Sequence, residues 1–160
     1  MESCARRIHF CYGHRVMHHE SKCATLHGHN GVIWIHATPV EGLDALGRVI
    51  DFSVLKAKVG AWVEENWDHT MILFKDDHKT LELVAQAPSY KKPFIFNVNP
   101  TAENLAKYLL WEVCPKVLKG QGVIVHKITF FETENCQAEQ SLSPDSPEVL
   151  KLYGLPSLGK

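Results

Sequence analysis

The sequence predicts an α+β domain in which two amphipathic helices lie on one face of an antiparallel sheet, in the order ββααββ. Three observations predict it. Apolar residues alternate with a period of two over 8–14 and 27–38, the pattern of half-buried strands. After Asp51 the period becomes 3.6, through Phe52, Leu55, Val59, Trp62, Val63 and Trp67, and it does so again through Leu105, Tyr108, Leu109, Val113 and Val117. Alternation then returns over 123–133 and 136–140. At 160 residues the chain suits one globular domain, expected over 1–140, with a C-terminal tail over 141–160.

Composition narrows the function classes. The chain is 45% hydrophobic and 22% charged with a formal net charge of -1, so it offers no basic block for nucleic acid or an anionic membrane surface. No apolar run approaches the roughly 18 residues of a membrane span, and the N-terminus has no signal-peptide pattern. Five cysteines, an odd number without a regular framework, read as thiols in a reducing compartment, and the expected location is cytoplasmic. Cys4, Cys11, Cys114 and Cys136 are expected to be small buried hydrophobes.

Element by element, Ile8, Phe10, Tyr12 and His14 share one face of the first strand, and His14 ends it. A polar loop, 15–22, follows; His18 and His19 in it read as solvated or as neighbours of a substrate. On the second strand Ile33 and Ile35 continue the face of His27 and His29, while Val32 and Trp34 take the other. Asp51 is the natural N-cap of the first helix, which gives out at Asn66-Trp67-Asp68-His69. A short apolar run, 71–74, a possible helical turn over 81–85 and a short strand over 94–98 lead to the second helix. Asn99 or Thr101 caps it, Pro115 loosens its last turn and Gly120 closes it. In the third long strand Ile124, Ile128 and Phe130 are expected to share a face with Glu132. The tail carries one apolar stretch, 149–153, able to dock on the body or on a neighbouring subunit.

The chain is organised around Cys23-Ala24-Thr25-Leu26-His27-Gly28-His29-Asn30. On a strand, residues i and i+2 share a face, so His27 and His29 stand at roughly 6 to 7 Å, given about 3.3 Å of rise per residue. That spacing lets both grip one ion, and His14 ends the preceding strand as a third imidazole. Three histidines are the ligand set of a catalytic zinc with an open position; Cys23 as fourth ligand would instead close the site as a structural one. The thiolate form of Cys23 is the alternative use, as base or nucleophile. Asp68-His69 pairs a carboxylate with an imidazole, the orienting arrangement of proton-relay chemistry. Glu132, at the end of an apolar face, needs a cation, a ligand's donors or a structural salt bridge.

Six short motifs in order resemble the family of 6-pyruvoyl-tetrahydropterin and 6-carboxy-tetrahydropterin synthases. They are His14-Arg15, Cys23-x-x-x-His27-Gly28-His29-Asn30, Val49-Ile50-Asp51-Phe52, Asp68-His69, Pro100-Thr101-Ala102-Glu103-Asn104 and Glu132-Thr133, spanning roughly residues 6 to 140. The resemblance implies the tunnelling fold, whose sheets join into a barrel in a trimer, with two trimers stacked as a homohexamer. It implies Zn2+ on His14, His27 and His29, Cys23 as the proton-abstracting thiolate, and Asp68 with His69 as its partner dyad. Glu132 would anchor the pterin through the 2-amino and ring N–H groups, with Thr101 and Thr133 as further polar contacts. The substrate would be 7,8-dihydroneopterin triphosphate.

The three residues between Cys23 and His27 match the 6-carboxy branch, which releases acetaldehyde and triphosphate on the way to 7-deazapurines such as queuosine. The 6-pyruvoyl branch, which only eliminates triphosphate, spaces the two by five. A non-enzymatic zinc or pterin-binding module is the more distant alternative. The chain departs from the family pattern at Gly31, where an aromatic usually follows His-Gly-His-Asn, and at Trp67, where leucine usually precedes Asp-His. The Leu-Asn that commonly follows the dyad is also missing.

Overall fold

The computed structural model describes residues 1–156; the last four residues of the expected tail lie outside the described residues. Four long strands form the antiparallel body of the sheet: β1 (Cys4–His14), β2 (His27–Pro39), β5 (Val123–Thr133) and β6 (Cys136–Ser141). Two short strands, β3 (Thr70–Phe74) and β4 (Phe94–Phe96), extend it in the order β4-β3-β1-β2-β5-β6. Both short strands pair in parallel, so the expected antiparallel sheet is a mixed one. The cause is the crossover: each is reached through a helix, which returns the chain in its original direction.

Helix α1 runs continuously through Phe52–Leu55, a π turn at Lys56–Gly60 and Ala61–Asn66, and Asp51 caps it by accepting from the Ser53 N–H. Helix α2 is His78–Ala85, and α3 runs through Ala102–Tyr108, a π turn at Leu109–Val113 and Cys114–Leu118. The π turn of α3 inserts one residue, so the buried stripe steps from Leu105 and Leu109 to Leu110, Cys114 and Leu118. Tyr108 and Val117, expected in that stripe, are only half-buried. Phe52, expected on the inner stripe of α1, is exposed because it opens the first turn. Thr101 caps α3, and Gly120 closes it at a positive φ of 76° that favours glycine.

The core lies between one face of the sheet and helices α1 and α3. Phe10, Tyr12, Ile33, Ile35, Ile128 and Phe130 meet Leu55, Val59, Val63, Trp67, Leu105 and Leu109 there. Register sets which residues of β5 face inward. Ile33 pairs with Phe130 and Ile35 with Ile128, but a bulge between His36 and Ala37 brings Val125 opposite Ala37. Val125, rather than the expected Ile124, therefore shares the face of Ile128, Phe130 and Glu132, because the extra residue changes the parity of alternation. Ile124 stands opposite Thr38 and is buried as well.

The chain after β6 packs onto this body. Ser146 caps helix α4 (Pro147–Leu152), whose Val149 and Leu150 are buried with Tyr153, and the Val125 N–H donates to the Tyr153 hydroxyl at 3.0 Å. All five cysteines are free; Cys114 is buried and Cys136 exposed, while on β1 Cys11 is half-buried on the outward face and Cys4 half-buried at the edge of the core. Among the described residues no helix is long and apolar enough to cross a membrane.

Candidate functional site

Antiparallel pairing of β1 with β2 sets His14 opposite His27 and Tyr12 opposite His29, so three imidazoles converge on the inner face. Their ring centroids lie 4.7, 4.8 and 5.0 Å apart, and one ligand atom from each falls within 4.8 Å of the others. Backbone carbonyls fix two of the rings. The Nδ1 of His14 lies 2.7 Å from the Pro100 carbonyl and that of His27 2.5 Å from the Thr25 carbonyl. A carbonyl only accepts, so both Nδ1 atoms carry the proton, and each Nε2 presents a lone pair.

Electrostatics then favour a cation among these lone pairs. The Nε2 atoms of His14 and His29 are buried without a hydrogen-bond partner. Burial, with smaller contributions from His27 and His29 against a favourable bond to Pro100, lowers the pKa of His14 to about 4, so it is neutral at pH 7. Burial lowers His29 as well. Glu132 Oε1 stands 3.4 Å from His14 Nε2 and 4.0 Å from His29 Nε2, but His14, neutral and with its proton on Nδ1, offers that oxygen no donor. A carboxylate and unpartnered imidazole lone pairs gathered in a buried space form an electron-rich site that fits a divalent transition metal. Burial also raises the carboxyl of Glu132, against the pull of His27 and with a push from Glu103.

Cys23 is half-buried on a 3-10 turn, Lys22–Ala24, and does not belong to the group of converging ligand atoms. The turn is tied to the end of β1: Val16 N–H donates to the Cys23 carbonyl at 2.8 Å, and Arg15 Nε donates to the Ala24 carbonyl at 2.7 Å. Arg15 Nη1 in turn bonds both oxygens of buried Asp77 and the Thr80 hydroxyl, fastening the turn to the start of α2. Asn99 clasps the backbone of Met17 in both directions, at 2.8 and 3.0 Å. These clasps lie far apart in sequence and were not legible in it.

Asp68 and His69 do form a pair, with Asp68 Oδ2 2.8 Å from His69 Nδ1. Asp68 Oδ1 also accepts from the Cys11 N–H at 2.8 Å, and Lys91 Nζ donates to the Asp68 carbonyl at 2.8 Å. Burial would raise the Asp68 carboxyl, but the Cys11 N–H, His69 and Lys91 outweigh it and hold the carboxyl low. His69 adopts a φ of +54°, uncommon for a residue with a side chain, and its side chain is 74% exposed. It lines a cavity of about 580 Å3 with Cys11, Gly13, Gly28 and Asn30, and Tyr12, His27 and His29 also reach that cavity. His69 is thus exposed at a cavity that the strand of His27 and His29 borders, while the Nε2 atoms of His14 and His29 are buried on the inner face.

Thr101 uses its hydroxyl to accept from the Asn104 N–H at 3.3 Å, one residue beyond the carbonyl that orients His14. Thr133 lies exposed at the β5–β6 turn, accepting from the Asn135 N–H at 3.2 Å. His18 is exposed at a φ of +66°, and His19 accepts from the Ser21 N–H. Tyr12 is the inner-face residue whose role alternation alone did not reveal. Its ring packs 5.1 Å from His14 and 5.6 Å from His29, and its hydroxyl is buried without an aligned partner. Burial, and secondarily the Glu132 carboxylate beside it, raise its pKa. Gly31 admits this ring: a Cβ there would meet Tyr12 Cε1 at 3.0 Å and Phe10 Cε1 at 3.1 Å. The missing aromatic after His-Gly-His-Asn thus has a physical counterpart on the adjoining strand.

Known proteins resemble this chain in sequence and fold. A family model described as 6-pyruvoyl tetrahydropterin synthase matches residues 3–142. The 6-carboxy-5,6,7,8-tetrahydropterin synthase of Rickettsia felis is 41% identical over 139 residues, which cover 87% of this chain and 99% of that one. A Wolinella succinogenes protein of known crystal structure superposes with a TM-score of 0.74 at 26% identity, over 89% of this chain and 98% of that one. The Caenorhabditis elegans 6-pyruvoyl tetrahydropterin synthase shares the fold, with a TM-score of 0.61 at 22% identity over 89% and 96% of the two chains.

Proposed function

The chain belongs to the 6-pyruvoyl tetrahydropterin synthase family, and on that footing we propose that it converts 7,8-dihydroneopterin triphosphate to 6-carboxy-5,6,7,8-tetrahydropterin with zinc held by His14, His27 and His29. Acetaldehyde and triphosphate leave, and the product serves 7-deazapurine synthesis, the route to queuosine. The observation that carries the reading is the convergence of three imidazoles, two of them fixed by backbone carbonyls, with no donor aimed at their buried lone pairs. The three-residue spacing from Cys23 to His27 and the similarity to 6-carboxy synthases favour this product over the 6-pyruvoyl one.

Bound zinc supplies a Lewis acid to charge developing on the substrate's side-chain oxygens. The chain's own residues do the rest. Cys23, on a turn fastened to the residues that follow His14, takes the proton as thiolate. Glu132 accepts from the pterin 2-amino and ring N–H groups, which supply donors to its half-buried carboxylate. Thr101 and Thr133 add polar contacts. Asp68 orients His69 as the acid-base partner of the thiol. The chain would work in an assembly such as a dimer of trimers, in which the exposed His69 of one copy can serve Cys23 of another.

Incubation of zinc-loaded protein with 7,8-dihydroneopterin triphosphate, followed by mass analysis, should yield acetaldehyde and the 6-carboxy product. A 6-pyruvoyl product without acetaldehyde would assign triphosphate elimination in its place. No turnover at all would leave a zinc or pterin-binding module.

A further inference from the structure

Tyr12 is 3% exposed, stacked on Phe10 at 5.2 Å and held edge-on by Phe130 at 5.8 Å, so its ring has one position. That position sets the ring 5.1 Å from His14 and 5.6 Å from His29, with its buried hydroxyl beside the Glu132 carboxylate, whose Oε1 lies 3.4 Å from His14 Nε2. With an ion on the imidazoles, their lone pairs are taken, and the acceptor left to the hydroxyl is Glu132. A buried hydroxyl with no partner is costly, whereas one donating to a carboxylate makes a strong, short bond.

We propose that Tyr12 is a positioning residue for Glu132: its hydroxyl donates to the carboxylate and holds it toward the substrate ring, away from the ion on the three imidazoles. The inference rests on the assignment of Glu132 as the pterin anchor and of the imidazoles as metal ligands. Glu132 needs such a restraint because its Oε1 lies 3.4 Å from His14 Nε2, close enough to be drawn onto the metal position that a substrate must enter. Gly31 belongs to the same device, since any side chain there would displace the Tyr12 ring.

The test titrates zinc-loaded wild type, Tyr12→Phe, Glu132→Gln and the double variant calorimetrically with a dihydropterin that lacks the triphosphate chain. Tyr12→Phe keeps the ring, so it should fold with unchanged zinc content and a melting temperature no lower than wild type in the metal-free state. Its pterin affinity should fall about 10-fold, the scale of one hydrogen bond to a charged group. The double variant should bind no more weakly than Glu132→Gln, because the hydroxyl acts through the carboxylate. In turnover, KM should rise by the same factor with kcat nearly unchanged, as for an interaction made equally in ground and transition states. Wild-type affinity in Tyr12→Phe beside a weakened Glu132→Gln would overturn the role of Tyr12 and leave the anchor standing, as would fully additive losses. Wild-type affinity in Glu132→Gln would overturn the anchor itself, and this inference with it.

Discussion

Two groups of histidines sit in the same sheet, and they differ in what surrounds them. His14, His27 and His29 converge at centroid spacings of 4.7 to 5.0 Å, with two rings pinned through Nδ1 by carbonyls and with a carboxylate beside them. His36 and His126 lie 6.3 Å apart on the other side, at the bulge of β5, and His126 Nε2 is likewise buried without a partner. Burial lowers the pKa of both outer rings, and in both the Lys127 ammonium adds to it. Proximity, burial and an unpaired nitrogen are common to the two groups. What distinguishes the ligand set is carbonyls that aim two of its three rings and the absence of a competing cation.

The largest effect should come from breaking the inner group. Zinc affinity, measured by chelator competition, should fall by more than about 100-fold in His27→Ala, beyond the usual cost of losing even an outer partner of a ligand. The same titration on His126→Ala should match wild type, and a comparable loss there would erase the distinction between the two groups.

A smaller effect separates them by pH. In metal-free protein His14 titrates near 4, against an ordinary 6.5. Between those values the unfolded chain binds a proton that the folded chain refuses, so stability rises with pH across the window and is lost as pH falls. The span corresponds to about 3 kcal/mol at 1.36 kcal/mol per pH unit. Denaturant unfolding of the metal-free protein at pH 4 to 6.5 should show that slope in wild type and, slightly reduced, in His126→Ala. His14→Gln should remove the larger part of it, and an unchanged slope there would remove His14 as its main source.

Much of the inner group was legible because a strand alternates: His27 and His29 had to share a face, and His14, ending the strand before, had to stand near them. What was not legible depended on contacts distant in sequence. The parity of β5 turned on one inserted residue at His126, which exchanged Ile124 for Val125 on the face of Glu132. The parallel pairing of β3 and β4 followed from crossovers that an apolar run of five residues does not announce. Residues 149–153 read as able to dock on either the body or a neighbour; the Tyr153 hydroxyl, meeting the Val125 N–H, places them on the body. Asp68 and His69 were a recognisable pair, but the left-handed backbone at His69 and the exposure of its side chain were not legible. Tyr12 looked like one more core aromatic until Gly31, on the paired strand, gave its ring a place beside His29.

The central claim is that three imidazoles hold the metal and leave Cys23 free to act on substrate. X-ray absorption at the zinc edge of the loaded protein tests it directly. The account predicts a first shell of nitrogen and oxygen scatterers at about 2.0 to 2.1 Å with no sulfur. A sulfur scatterer at about 2.3 Å would place Cys23 on the metal and contradict it.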